Sequence, residues 1–562
     1  MISKKILLLA ISLATFTSFA YAQETPDAGV IQKQIEDDRL KLNLPTKEED
    51  KLNIDAFVSD SSLTVVIKHI TYQGNTLIPS IKLDEITKPY LNRSLNFAQL
   101  EFITAQISEF YRAQGWVVKV LLPEQDLIHQ TLIIEIIEAS LGKIEIEDQS
   151  TNLNLAVIKP MIEKNNLVGS ALNARKLDRA LLLIDDIPGI KAFGLLKPGD
   201  EQKEADLKIK ITNDSRLNGN VYLDNMGPRS TGQARIGTNF NINSPFKWGD
   251  QVNLSALHTH GSDYLRLAYS LPVGLEGLRI GLNGAKLKYD LISSDLSALQ
   301  ASGSFTSTGL EAQYPIVRSK LKNLYFITNF DRKDYRNEAQ GQIVSLYEIK
   351  NISMSLYGNL FDNVLGGGSN AANLTAVKGN LDLQGSPTEI IDRFTTKSAG
   401  RFNLIRYAIN REQNLFGPVT LYAGASGQFA FDNLSSSEKF YLGGPYGVRA
   451  YPVNEAGGSS GHLLKLELRT QLPYNFSSSL FYDEGHVIVN HNNNFIGASS
   501  LNKFTLKGAG LSLNWQYNQS LKIASILSRR IGENPNLTST GLDQDGSKDE
   551  TRFWINVSYL FQ

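Results

Sequence analysis

From about residue 215 to the C-terminus the chain keeps a two-residue rhythm, and that rhythm leaves few folds open. RLNGNVYLDN, GQARIGTNFNIN, DQVNLSALHT and DYLRLAYSLPV alternate in polarity and are separated by Gly, Asn and Pro. In the second segment Ala234, Ile236, Phe240 and Ile242 share one face, while Gln233, Arg235, Asn239 and Asn241 share the other, because side chains alternate along a strand. A soluble sandwich would alternate in the same way. The length of the region separates the two. At about 20 residues per strand and turn it holds about 16 or more strands, with no helical stretch to cover a sheet. In a membrane such strands must close into a barrel, apolar outward and polar inward. The last segment, RFWINVSYLFQ, fits: Phe553, Ile555, Val557, Tyr559 and Phe561 fall on one face.

The other end of the chain supports export. Residues 1–22 read as a signal peptide, with Lys4 and Lys5, a mostly apolar stretch from Ile6 to Phe19, and the small-residue site Ala20-Tyr21-Ala22. A retained N-terminal anchor is the alternative, and the apolar core is short for one. After residue 22 no apolar run approaches the ~18 residues that a membrane helix needs. An exported chain of this kind is either soluble or an outer-membrane barrel, and the alternation favours the barrel. Net charge is −1, so the basic surface of a nucleic-acid binder is missing. The chain has no Cys, which excludes disulfides, Cys-based zinc sites and a Cys nucleophile.

Between these ends the pattern is helical and mixed. In residues 23–45, VIQKQIEDDRLKL sets Ile31, Ile35 and Leu42 near one helical face before Pro45 stops it. By itself that stretch could equally be a frayed, solvated helix. Residues 46–63 read as a linker. Over 64–139 the order is β-α-α-β-β: a strand in TVVIKHITYQG, two helices with the second closed by Gly115, then WVVKVLLP and TLIIEIIEA. The same order recurs over 140–214, so two structural repeats precede the barrel at 215–562.

Few residues suggest chemistry. Asp185-Asp186 could be paired carboxylates, but neighbours at a helix end point apart. His258-Thr-His260 would set two imidazoles on one strand face, a possible metal pair without a third ligand nearby. Gly366-Gly367-Gly368 reads as a mobile, outward-facing loop. No Walker loop, GxSxG or HExxH is present, which leaves nucleotide-driven work and hydrolysis unsupported.

The densest motif is GGPYGVRAYPVNEAGGSSG, residues 443–461, with Arg449 between two glycine-rich runs. Further on comes LFYDEGHV, with Asp483 on a strand. A glycine-rich hairpin folded into a lumen could present Arg449 to an inward Asp483. Such a pair is directional and can be bidentate, on the order of 1–3 kcal/mol, enough to hold a loop yet let it move. Two unrelated exposed charges are the bland reading.

The two mixed repeats, the large barrel and VRAY followed by FYDEG together resemble the two-partner secretion outer-membrane transporters (TpsB type, the ShlB/FhaC/HecB-like haemolysin secretion/activation family). The resemblance covers nearly the whole mature chain. It implies two periplasmic POTRA domains, a sixteen-stranded barrel, and a sixth extracellular loop folded into the lumen. The VRGY/F loop motif is matched by Val448, Arg449, Ala450 and Tyr451, and the F-x-D-x-G wall motif by Phe481, Asp483 and Gly485. Alanine replaces the motif glycine at 450, which would add strain of roughly 1 kcal/mol if that position uses φ > 0. PEQDL (123–127) resembles the family's P-x-Q element, although its downstream glycine is absent at His129-Gln130. DDIPGI (185–190) and LKPG (196–199) resemble the second POTRA domain, and LDNMGPRSTG (223–232) the barrel start. Residues 30–42 fall where the family has a helix that plugs the pore.

The implied function is export of one large, unfolded, β-rich partner, without cofactor, metal or nucleotide. The partner would be an adhesin, haemolysin, contact-dependent toxin or haem-binding protein. It would bind strand edges of the POTRA domains and then cross a polar lumen that offers it no apolar surface. The barrel would sit in outer-membrane lipid with the repeats in the periplasm. A barrel-assembly factor is the rival reading; it usually carries more periplasmic repeats. A passive porin needs no repeats, and an outer-membrane hydrolase lacks a motif.

Overall fold

The computed structural model describes residues 25–39, 64–164, 166–201 and 203–562. The leader at 1–22, the linker at 46–63 and Leu42 lie outside the described residues.

The first repeat is slightly more elaborate than its sequence suggests. The expected strand at 64–74 is two, Thr64–Val66 and His69–Gln73, because Ile67 turns fully into the core between them. Thr64–Val66 pairs instead with Ser94–Asn96. Helices Ser80–Thr87 and Phe97–Ala113 follow; the second starts in a capping box between Asn96 and Gln99 and ends before Gly115 at φ 90°. Strand Thr131–Glu138 is central, parallel to His69–Gln73 and antiparallel to Val118–Leu121. Ile103, Ile107, Tyr111, Ile134 and Ile136 form the core. Gln125 of the PEQDL element clamps Ile133 through both backbone groups, at 2.7 and 2.8 Å. Where a downstream glycine was expected, His129 and Gln130 themselves take φ 54° and 59°. The left-handed turn is kept without the residue that adopts it most cheaply.

The second repeat follows the expected order. Strand Ser140–Asp148, helices Ile158–Glu163 and Ala174–Asp185, and strands Ile190–Pro198 and Glu204–Asn213 build a sheet with Glu204–Asn213 in the middle. This unit is docked on one end of the barrel. Arg318 holds Asp186 through two bonds of 2.7 Å, Lys164 pairs with Glu276 at 2.7 Å, and Arg179 donates to the Pro315 carbonyl. Asp185 turns away and accepts from the Ala192 backbone, so the adjacent carboxylates do separate.

The barrel has sixteen antiparallel strands, closed by pairing of the first, Leu217–Asp224, with the last, Thr551–Phe561. Asn225 locks the seam, donating to the Phe553 carbonyl and accepting from the Ile555 amide. Ile236, Leu265, Leu282, Leu310, Phe330, Phe553 and Tyr559 lie on the exposed outer wall, while Trp554 points in and is buried. The alternation thus divides lipid from lumen as closure requires.

Two expectations are overturned here. The Gly366–Gly368 stretch joins the eighth and ninth strands, Gln342–Asp362 and Gly368–Asp382, at the end where the repeats dock. It is a tight turn, with Gly366 and Gly367 at φ 90° and 94° and the Gln413 amide donating to three of its carbonyls. Strand parity puts it on the repeat side, whatever its glycine content. The lumen, moreover, is not polar throughout: Leu257, Tyr264, Leu287, Phe305, Tyr335 and Tyr347 face inward and are buried.

Candidate functional site in the barrel lumen

The sixth extracellular loop, between the eleventh and twelfth strands (Val419–Ala430 and Ser460–Leu472), folds inward, and its glycines are required by how closely its backbone doubles back. A Cβ at Gly447 would lie 1.8 Å from the Leu442 carbonyl oxygen, and one at Gly443 2.0 Å from that of Pro452. No side chain fits there. Leu442, Val448, Ala450 and Tyr451 are fully buried on this fold, packing against Val487 and Leu506 of the wall.

The hairpin sets Arg449, 5 % exposed, against Asp483, 0 % exposed. Nε and Nη2 of Arg449 each donate at 2.7 Å to one Asp483 oxygen, and its backbone amide donates at 3.1 Å. The third guanidinium nitrogen, Nη1, reaches Glu467 at 2.8 Å. The guanidinium carbon stands 3.4 Å from the centroid of the Phe481 ring, a cation–π contact. The Arg449 carbonyl accepts from Ser528 Oγ at 2.7 Å and from Trp554 Nε1 at 2.8 Å. One residue thereby ties the loop to four wall strands: Ser460–Leu472, Phe476–Ile488, Leu521–Arg530 and Thr551–Phe561.

Sequence reasoning paired Arg449 with Asp483 and missed Glu467. The signal was in KLELR: Lys465, Glu467 and Arg469 share one strand face, an unusual charge row for a barrel wall, and Arg469 in turn holds Glu467 at 2.7 Å. Val448 and Gly485 also meet, since a Cβ at Gly485 would lie 3.0 Å from Val448 Cγ2. Ala450 carries no positive φ, so the anticipated strain is absent. Its methyl is housed by Gly508, where a Cβ would stand 2.7 Å away. The left-handed non-glycine residues of this loop are Asn454 and Ala456, at φ 65° and 59°.

The second occupant of the lumen is the helix Ala28–Arg39. Ala28, Ile31, Gln32, Lys33, Gln34 and Ile35 are all buried, which a solvated helix would not achieve. Ile31 and Ile35 join the apolar cluster on the lumen wall. Asn337 accepts from the Ala28 amide at 2.9 Å, Tyr335 donates to Gln32 at 2.9 Å, and Asp38 pairs with Arg235 at 2.8 Å. Asp27 accepts from Ser436, next to the buried Glu438, which Lys333 and Arg406 neutralise at 3.0 and 2.8 Å. The helix start therefore abuts the root of the same inward loop.

The histidines do not form a site. The strand Gln251–Thr259 ends before His260, and His258 lies against Asp263 at 2.7 Å on an exposed surface. Among the described residues no three His, Asp or Glu side chains are grouped to hold a metal.

Residues 203–515 match the family described as haemolysin secretion/activation protein ShlB/FhaC/HecB, and residues 65–139 match the ShlB-type POTRA domain. The heme/hemopexin transporter protein HuxB of Haemophilus influenzae (strain 86-028NP) is 27 % identical over 500 residues, covering 87 % of this chain and 86 % of its own. In three dimensions CdiB from Escherichia coli superposes with a TM-score of 0.70 at 18 % identity, over 91 % of this chain and 93 % of that one. BamA from Haemophilus ducreyi, lacking its first three POTRA domains, reaches 0.51 at 13 % identity over 89 % and 100 %. These two likenesses show the fold alone, and the family match assigns the chain. This chain belongs to the ShlB/FhaC/HecB family of haemolysin secretion/activation proteins.

Proposed function

We propose that this outer-membrane protein secretes one large partner protein, delivered unfolded to the periplasm, through its barrel lumen. The observation that carries the reading is a lumen occupied by an N-terminal helix that pairs with no barrel strand, in a chain with one domain that matches the POTRA model and a second unit of similar strand and helix order. An assembly factor has no need to clear a stoppered pore. Strands His69–Gln73, Val118–Leu121, Ser140–Asp148 and Ile190–Pro198 are sheet edges, able to take an extended segment as an added strand. On the last of them Phe193 and Leu195 are exposed, which suits an amphipathic, β-rich cargo.

Arg449 and Asp483 act as the latch that holds the loop, with Val448, Tyr451, Phe481 and Gly485 as its packing, and Ile31 and Ile35 seat the plug. No nucleotide motif is present, so folding of the partner outside drives export; undiminished transport of a partner that cannot fold would count against this. HuxB, by its name, transports heme/hemopexin; a haem-related cargo is one candidate beside adhesins, haemolysins and contact-dependent toxins. The test compares culture supernatants of the parent strain and a strain lacking this chain. Loss of one large protein, with other barrels at normal levels, supports secretion. A general fall in outer-membrane barrels would assign the protein to assembly instead.

A further inference from the structure

The register of the barrel lines up its inward apolar residues. Leu257 is opposite Tyr264, Tyr264 opposite Leu287, Leu287 opposite Phe305, Phe305 opposite Tyr335, and Tyr335 opposite Tyr347. This is one unbroken row across the third to eighth strands. None of the six is more than 7 % exposed, and the rings of Phe305, Tyr335 and Tyr347 stand 5.0 and 4.5 Å apart in succession. The same apolar cluster continues through Ile349, Leu381, Phe402 and Leu404, whereas the first three strands also carry the polar lining expected of a barrel, such as the ladder of Asn218, Asn241 and Asn253 at 2.7 and 2.5 Å.

The plug covers the middle of the row: the helix Ala28–Arg39 packs on the fifth, sixth and seventh strands, and its Ile31 and Ile35 join the same apolar cluster. A pore that opens by losing the helix would expose this surface to water. Ile31 and Ile35 lie about 6 Å apart along their helix. Alternate residues of an extended strand lie about 6.6 Å apart. A seat that accepts one pair accepts the other.

Resting on the secretion reading above, we propose that this row is a shared seat. The plug helix is an intramolecular stand-in for the partner, and an alternating apolar segment of the chain in transit takes the row as the helix vacates it. Exchange replaces exposure, so the apolar wall admits a β-patterned chain and disfavours a uniformly polar one.

Two variants separate a shared seat from a mere plug seat. Asp38→Ala removes the carboxylate that pairs the helix with Arg235, which keeps Asp224, and leaves every residue of the row in place. Leu287→Thr with Phe305→Thr strips the row while keeping strand-forming residues. Both loosen the helix and raise the conductance of the purified full-length protein in planar bilayers. Secretion of the supernatant protein that is lost on deleting this chain stays at the parental level in Asp38→Ala. In the double variant it falls roughly tenfold, the scale of one apolar side chain left in water. Parental secretion from an open double variant overturns the shared seat while leaving the secretion reading intact. Loss of no supernatant protein on deletion overturns the secretion reading, and the seat with it. Should the double variant fail to insert, a photo-crosslinking residue at position 305 of the otherwise unaltered chain decides. It must capture the helix at rest and the partner when export is stalled by a fused, folded domain. Partner adducts from position 239, on the polar wall, without any from 305 overturn the proposal.

Discussion

The helix and the loop fill the same lumen but are held by different physics. The loop is fastened by Arg449, whose three guanidinium nitrogens all meet buried carboxylates. The helix rests on apolar contact and a few neutral hydrogen bonds, with one ion pair to the wall among the described residues, Asp38–Arg235, near its end. Among the described residues, Gln32 Nε2 and Gln34 Oε1 are buried without a protein partner. Apolar contact can be replaced by any apolar surface. A desolvated bidentate pair cannot, because either partner left alone is an uncompensated buried charge. That contrast is what the proposed function asks for: one occupant that leaves and one that stays attached.

The strongest way to break this comparison is at the loop. Arg449→Ala leaves Asp483 buried without its cation, while Glu467 keeps only Arg469, a loss of about 3–5 kcal/mol. The barrel is expected to insert while secretion fails. Asp483→Ala is expected to impair secretion less, because Glu467 still balances Arg449. Normal partner levels in the supernatants of both mutants would end the latch reading.

Removing the helix should act on the pore and spare the fold. No barrel strand pairs with it, so deletion of residues 26–45 is expected to leave the heat-modifiable barrel intact and raise its ion conductance. Unchanged conductance would mean that the segment is no plug.

A finer test lies at the fit between loop and wall. Gly508→Ala sets two methyl groups 2.7 Å apart and is expected to lift the loop tip, at about 1–3 kcal/mol. Ala450→Gly in the same chain should restore secretion, whereas Ala450→Gly alone should change little. Failure of the rescue would show that Gly508 matters for some other reason.

The smallest effect concerns pH at the outer end of the loop. Burial pushes the Glu455 carboxyl up to about 7; Asn534, the Gln544 amide and Asn536 partly oppose this, and neighbouring Asp543 adds to it. An acid with a raised pKa in the folded state stabilises that state below its ordinary range near 4.5, and this contribution is lost as pH rises through about 7. The junction of this loop with residues 534–544 should resist limited proteolysis better at pH 5 than at pH 8. Glu455→Gln should flatten that dependence.

Much of this architecture was legible in the chain. The alternation of Ile236 and Arg235 predicts lipid and lumen faces, and Arg449 with Asp483 could be paired from motif and strand parity. Glu467 was within reach, since KLELR shows its charge row. The apolar seat was not. In DYLRLAYSL both strand faces carry apolar residues, Tyr264 on one and Leu265 on the other, and a short segment does not say which looks inward. Nor could the sequence tell that Ala450 would find its space at Gly508, on a strand remote from the loop.

What the sequence by itself determined is local and periodic: strand against helix, two repeats before a barrel, and a cation on a glycine-rich hairpin. Those follow from side-chain spacing and backbone sterics, which act over a few residues. Closure decided the rest. Only the pairing of sixteen strands in one register brings Leu287, Phe305 and Tyr335 into a single row and sets Ile31 upon it. A one-residue slip would turn that row out to the lipid.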